Sequence, residues 1–313
     1  MAQQLIDTTT DHGSYKGDPA KVAFEKVNAN DAELYGLLTA LAAVGGENML
    51  INCGVPINQR GFAGGALAAG AYGYDRWKAG SGGCNVTINA TTGVFTHTSG
   101  PLQQIIEAPV LAWGLPLTIS VENPSGNIAV NVGGATGTIT AGTGRRGVTL
   151  TPSGSGNMTV QMTATGVSYS RPKLERGEAA TPYQPRPVEI ELALCRRYYC
   201  KSFPVGTPPA VGLVAGCAQG ATAWSTANVR TSTIAFPTEM RALPALLLYT
   251  SNDASTQGNG AALWNGSVWN STATWTFDLA SSRGFAVNGN FGSGLTVNGS
   301  YLMRFNWTAD AEL

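Results

Sequence analysis

The apolar positions of the chain follow two different periods. Between Ala20 and Val44 they step by three and four alternately, through Ala20, Ala23, Val27, Asn30, Leu34, Leu37, Leu41 and Val44. That is an a/d heptad seam, and its narrowness, with Lys26, Asn28 and Asp31 on the flanks, suits an oligomerising helix better than one packed on its own domain. Asn30 at a seam position would fix register at some cost in stability. Asp18-Pro19 predicts the helix start, with the Asp accepting first-turn N–H groups, and Gly45-Gly46 predicts its end. From Glu47 to Arg186 the period changes to two. Cys84-Asn-Val-Thr-Ile-Asn, Leu117-Thr-Ile-Ser-Val, Asn127-Ile-Ala-Val-Asn-Val, Gly147-Val-Thr-Leu-Thr and Asn157-Met-Thr-Val-Gln-Met each place an apolar side chain at every second position. Such runs predict strands with one face in a core and one in water, and their spacing predicts a sandwich or jelly roll.

Pro182, Pro185 and Pro187 predict a stiff extended connector. Val188 to Ser202 then carries Glu189 and Glu191 early and Arg196, Arg197 and Lys201 late, the order a helix dipole favours, with Leu192, Cys195 and Tyr199 on one face. Beyond Phe203 the alternating pattern returns, with Asn-Gly pairs at Asn265-Gly266, Asn288-Gly289 and Asn298-Gly299 that predict hairpin turns. The expected fold is therefore mainly β, in four parts. An N-terminal coiled-coil segment, 1–46, precedes a β-sandwich, 47–187; a connecting helix, 188–202, leads to a second β-sandwich, 203–313.

Composition narrows the function. Of 313 residues only 12% are charged, 19 Lys+Arg against 19 Asp+Glu, where about 25% is usual; glycine reaches 40 residues. Net charge zero and no Lys/Arg cluster leave no footprint for a phosphate backbone, so no nucleic-acid partner is expected. The longest apolar stretch, around Leu37 to Val44, is far short of the ~18 residues of a membrane span, and the first residues do not resemble a signal peptide. From Thr87 to Gly144 the only charged residues are Glu107 and Glu122, whereas Asp7 to Glu33 is dense in charge. The charged end and the β part are thus different surfaces.

Motifs of chemical appearance find no supporting context. Gly142-Thr-Gly144-Arg-Arg-Gly147 satisfies G-x-G-x-x-G, but strands flank it and no helix follows to hold a pyrophosphate. Cys195 and Cys200 have no second ligand pair, and His12 and His97 are the only histidines, so neither metal nor cofactor is expected. Five cysteines, Cys53, Cys84, Cys195, Cys200 and Cys217, make no disulfide framework and read as buried thiols, the odd count leaving an inter-chain link open. No Ser/His arrangement is evident, and Asp310 and Glu312, two of the few acids of the last domain, stand at its very end. Catalysis is not expected.

Two stretches carry a resemblance. Gly17-Asp18-Pro19-Ala-Lys-Val-Ala-Phe24-Glu-Lys-Val27-Asn28-Ala-Asn30-Asp-Ala-Glu33-Leu34-Tyr35 resembles the attachment-end motif of tailed-bacteriophage tail-fibre proteins. Asn52 to Gly61, Tyr74-Asp75-Arg76-Trp77, Pro172 to Pro187 and Glu191 to Tyr199 resemble the carbohydrate-binding-module-like jelly roll, with its following helix, of phage fibre and structural proteins. Arg196 departs from the Gln usual there. The resemblance covers about two-thirds of the chain. It implies a homotrimeric virion fibre with Val27, Asn30, Leu34, Leu37, Leu41 and Val44 at the trimer seam. Its N-terminus would dock on a baseplate or other virion protein, and its last domain would face the host.

Within the jelly roll, Gln59, Arg60, Asp75, Arg76 and Trp77 are expected to be structural, Asp75 and Arg76 satisfying buried backbone or each other and Trp77 filling the core. In the last domain Trp264, Asn265, Trp269, Asn270 and Trp275 are the candidates for binding a host-surface polysaccharide or lipopolysaccharide, since an indole packs on sugar C–H faces while amides bond hydroxyls. The competing assignment for the tryptophans is a place in the core or at the trimer axis. A head or collar fibre without receptor role and a tail-spike polysaccharide depolymerase are the alternative functions.

Overall fold

The computed structural model describes residues 5–43, 46–213, 218–251, 260–264, 266–267, 269–270 and 274–313. Val44, Cys217 and Asn265 lie outside these residues, as do the side chains of 37–43 and of Asn270. Helix α1 (Ala20–Ala43) begins beside the predicted cap. Asp18, however, takes Lys26 Nζ at 2.6 Å and the Asp7 N–H at 2.8 Å on its Oδ2, so its carboxylate ties the preceding loop to the helix instead of capping the first turn. Phe24, Val27, Leu34 and Tyr35 on this helix are all exposed. No described helix is long and apolar enough to cross a membrane.

The predicted β-sandwich is present as two antiparallel sheets. One orders its strands β1 (Gly65–Leu67), β3 (Cys84–Ile88), β4 (Val94–Ser99), β11 (Val167–Arg176), β6 (Leu117–Glu122) and β9 (Arg145–Leu150). The other orders β2 (Lys78–Ala79), β5 (Pro101–Ile106), β10 (Met158–Thr163), β7 (Ile128–Val132) and β8 (Ala135–Ile139). Alternation in β3, β7 and β10 sends Val86, Ile88, Val130, Val132, Val160 and Met162 into one shared core with Phe95, Leu102, Tyr169 and Trp77. Strand β6 departs from the expected pattern. Thr118 and Ser120 are as buried as Leu117, Ile119 and Val121. The reason is tertiary: the segment after β11 folds back over this sheet, and Thr118 Oγ1 bonds both Thr149 Oγ1 and the Gly177 carbonyl, each at 2.8 Å.

That returning segment also covers a charged pair. Lys173 and Glu175 stand two residues apart on β11, so both point to the same face; they meet at 2.9 Å and are essentially unexposed. Thr181 satisfies both, and Lys173 donates further to the Pro182 carbonyl at 3.0 Å. Buried charges are tolerated when paired and fully hydrogen-bonded in this way. Beyond it, Arg186 bonds the main chain of Asn48 and Leu50 and pairs with Glu191 at 3.1 Å, and Glu191 in turn accepts the Asn52 N–H.

Helix α2 (Val188–Arg196) is shorter than predicted. Cys195 is buried on it, but Tyr199 belongs to a strand, β12 (Tyr199–Lys201), that is already part of the last domain. That domain also comprises β13 (Ala218–Ala223), β14 (Asn228–Thr231), β15 (Ile234–Ala235), β16 (Ala245–Thr250), β17 (Ala262–Trp264), β18 (Trp269–Asn270), β19 (Thr274–Asp278), β20 (Gly284–Asn290) and β21 (Ser300–Asp310). Strand β21 organises it. Its first half lies between β13 and β17, its second between β12 and β16, so this one strand joins both groups into a single ten-stranded sheet. Met303, Phe305, Trp307 and Ala309 from β21 meet Val229, Leu248, Phe285 and Val287 in a second core.

The hairpin expectation needs correction at all three Asn-Gly pairs. Asn288-Gly289 lies inside β20, where the Trp275 ring occupies the space a Cβ on Gly289 would need, so the glycine is a packing notch and not a turn. Trp264 pairs with Trp269, so the connection there spans four residues instead of two. Asn298, with φ of 63°, forms a turn before β21, but β14 and β13 stand between β20 and β21 in the sheet, so the turn closes no hairpin.

The two β-domains are joined by charge. Arg76, 1% exposed, was expected to pair with Asp75 or buried backbone; its carboxylate partner is Glu312, while Nη2 donates to the Ile105 carbonyl at 2.5 Å. Its guanidinium also stacks 3.5 Å from the Tyr198 ring centre. Arg60 pairs with Asp310 at 2.9 Å and lies 3.8 Å above the Tyr199 ring. Asp75 instead accepts both the N–H and the Nε2 of Gln59, which passes a further bond to the Tyr199 carbonyl at 2.8 Å. Trp77 fills the core as expected and donates to the Asn52 carbonyl at 2.7 Å.

Two predictions follow from this junction. Glu312→Gln strands a buried guanidinium and is expected to cost about 3–5 kcal/mol in urea unfolding, whereas Glu239→Gln, on an exposed pair with Arg283, should leave the urea midpoint essentially unchanged. The second concerns pH. Burial pushes the Asp75 carboxyl from 3.8 up to about 6. A raised carboxyl contributes stability that is complete below about 3.8 and is lost as pH rises through about 6. Asp75→Asn should remove that loss, so the midpoint difference between variant and wild type shifts in favour of the variant from pH 4 to pH 7, whatever its constant offset; a difference independent of pH would refute the assignment.

Candidate functional site

The last domain presents one broad outer sheet face, and register defines what stands on it. Trp264 pairs with Trp269 on one side and Leu302 on the other, and Arg304 pairs with Ala262 two residues earlier, so these side chains share the face opposite the buried Leu263 and Met303. The Trp264 and Trp269 rings lie 5.3 Å apart at 49°. The Arg304 guanidinium sits 4.2 Å from the centre of the Trp269 ring, a distance at which the ring quadrupole attracts the cation. Beside them runs a groove of about 550 Å³, lined by Trp264, Gly266, Thr296, Ser300, Tyr301 and Leu302. The Tyr301 hydroxyl accepts the Thr296 N–H at 2.8 Å, which fixes the far wall.

The predicted candidates therefore divide. Trp264 and Trp269 come together and border a groove. Asn265 and the amide of Asn270 lie outside the described residues. Trp275 stands apart: it faces Gly289, meets Phe291 edge-on with ring centres 5.3 Å apart, and packs against the second core. Arg304 escaped the sequence reading because its sequence neighbours are ordinary strand residues. Only the pairing of β21 with β17 brings it to the tryptophans.

Other residues of chemical appearance are accounted for by the fold. His97 is buried; its Nε2 lies 2.7 Å from the Gly100 carbonyl and its Nδ1 3.2 Å from the Tyr169 hydroxyl, and burial holds its pKa below the ordinary value. Gly142 and Gly144 belong to a loop entering β9, where Gly144 donates to Asn123 Oδ1 at 2.7 Å, and Gly147 lies against the main chain of Ile119. Cys53, Cys84, Cys195 and Cys200 are free and buried, and burial raises each thiol above its usual range. Among the described residues no three His, Cys, Asp or Glu side chains gather as a metal site.

Comparison with known proteins adds little. No protein-family model matches the chain, and no curated protein matches it. One solved structure, a mutant salicylate 1,2-dioxygenase from Pseudoaminobacter salicylatoxidans, aligns over 70% of either chain at 11% identity, with a TM-score of 0.11. A superposition that poor carries no argument about fold or activity.

The indole pair itself can be tested. Trp269→Ala removes an aromatic pair and a cation–π contact and is expected to lower stability by about 1–2 kcal/mol, while Arg304→Ala should cost about 0.5–1 kcal/mol. In a double-mutant cycle in urea the cost of Arg304→Ala should vanish in the Trp269→Ala background, which is the coupling between the two.

Proposed function

We propose that this chain is a homotrimeric structural fibre protein of a bacteriophage tail, with the N-terminal segment seated on a baseplate or other virion protein and the last β-domain contacting a host-surface glycan. The observation that carries the proposal is the Trp264–Trp269 pair beside an open groove on the outer face of the last sheet. An indole face covers sugar C–H groups, and the hydroxyls of Ser300 and Thr296 in the groove suit sugar hydroxyls. Sparse charge supports a neutral ligand. The two attachment-type sequence stretches support the virion setting, and the residues of the second are those that wire the jelly roll together. On α1 the exposed Val27 and Leu34 need apolar neighbours, which a parallel trimer would supply along with the positions at Asn30, Leu37, Leu41 and Val44.

The reading makes no use of catalysis. Its test is adsorption. Phage particles carrying Trp269→Ala are expected to bind host cells at least about tenfold less, equivalent to about 1.4 kcal/mol, while the purified variant still sediments as a trimer. Normal adsorption by a folded trimeric variant would overturn the glycan assignment. New reducing ends released from host capsule or lipopolysaccharide by the purified protein would replace it with a depolymerase.

A further inference from the structure

The outer sheet face does not end at the groove. Register carries it across β21 and β13 to β14, β20 and β19: Ser300 pairs with Thr222, Thr222 with Arg230, Arg230 with Asn288, and Asn288 with Thr276. Trp224 follows β13 two residues after Thr222. It is 57% exposed, although large aromatic side chains are normally well buried. It is also held in place. Its N–H bonds the Asn228 carbonyl at 3.1 Å, and its indole Nε1 lies 3.3 Å from Asn288 Oδ1.

Polar groups stand ready around that ring. Arg230 Nη1 and Asp278 Oδ2 meet at 2.9 Å with side chains 49% and 38% exposed, so both retain open hydrogen-bonding positions. Two hollows meet at Trp224, one of about 310 Å³ reaching Arg230, Asp278 and Asn288, the other of about 330 Å³ reaching Thr222, Ser232 and Asn298. Counting two strand steps of ~4.8 Å and four residues of ~3.4 Å, the backbone of Trp224 lies about 17 Å from that of Trp264.

We propose that Trp224 is the platform of a second saccharide subsite, one that takes a neutral pyranose and, together with the Trp264–Trp269 groove, holds an extended glycan along the sheet. The indole would cover the C–H face of the sugar. Asp278 would accept from one hydroxyl and Arg230 donate to a neighbouring one. Because the guanidinium is already balanced by a carboxylate, an acidic sugar gains from one and loses to the other, which favours a neutral ligand. The inference rests on the glycan reading of this sheet face, and the experiment separates the two.

Neutral gluco-, manno- and galacto-configured hexasaccharides, with a uronate-containing hexasaccharide beside them, would be titrated calorimetrically into the full-length protein. Trp224→Ala and Trp269→Ala are each expected to weaken binding of the preferred neutral hexasaccharide about tenfold, with melting curves confirming that both variants fold. Asp278→Asn should weaken the neutral ligand and strengthen the uronate. If Trp269→Ala weakens binding and Trp224→Ala does not, the second subsite is overturned while the groove stands. If only Trp224→Ala weakens it, the subsite stands and the groove assignment falls. No heat with any neutral hexasaccharide at millimolar concentration overturns both.

Discussion

A buried guanidinium cannot be left alone, and Arg76 obliges two domains to fold against each other. Its head is removed from water by Tyr198 on one side and the main chain of Ile105 on another, and its charge is met by Glu312, the residue after the buried Ala311. Removing an ion from water costs several kcal/mol and is repaid only with good geometry and further hydrogen bonds. Arg60 repeats the arrangement with Asp310 and Tyr199. The end of β21 is therefore anchored in the jelly roll, and β21 is the strand on which β12, β13, β16 and β17 all pair.

The same logic explains why the jelly roll carries so many polar residues inside. Asn52, Gln59, Asp75, Lys173, Glu175, Arg186 and Glu191 are buried or half-buried, and each has a partner. They join three stretches far apart in sequence: the loop after Gly46, the strand β11 with its returning segment, and helix α2. With apolar groups alone these segments could slide; directional hydrogen bonds allow one register. The second resembling stretch is this wiring, so its sequence specificity arises from scaffold construction.

What remains open on the last domain is a sheet face of hydroxyl, amide and aromatic groups with Arg304 and the Arg230–Asp278 pair among them. The strands beneath it are fixed from the core side, where Met303, Phe305 and Leu263 are fully packed. Indoles on the outer side are thus held on a rigid support, which lowers the ordering cost of binding a flexible chain.

Much of this architecture was legible from the order of residues alone. Heptad spacing and the cap-like Asp18-Pro19 located α1, and alternation located β3, β7, β9 and β10, because periods of 3.6 and 2 are local consequences of backbone geometry. The burial of both faces of β6, the place of Tyr199 in a strand, the use of Gly289 as a notch for Trp275 and the meeting of Arg304 with Trp269 were not legible. Each depends on a partner 14 or more residues away in the chain, and sequence spacing carries no information about which distant strand lies alongside. By itself the sequence determined two β-domains behind a charged helix and a surface poor in charge. Only the tertiary structure decided that Arg76 belongs to Glu312 and that Trp264 and Trp269 come together while Trp275 turns inward, since pairing across strands, and not position along them, sets which side chains share a face.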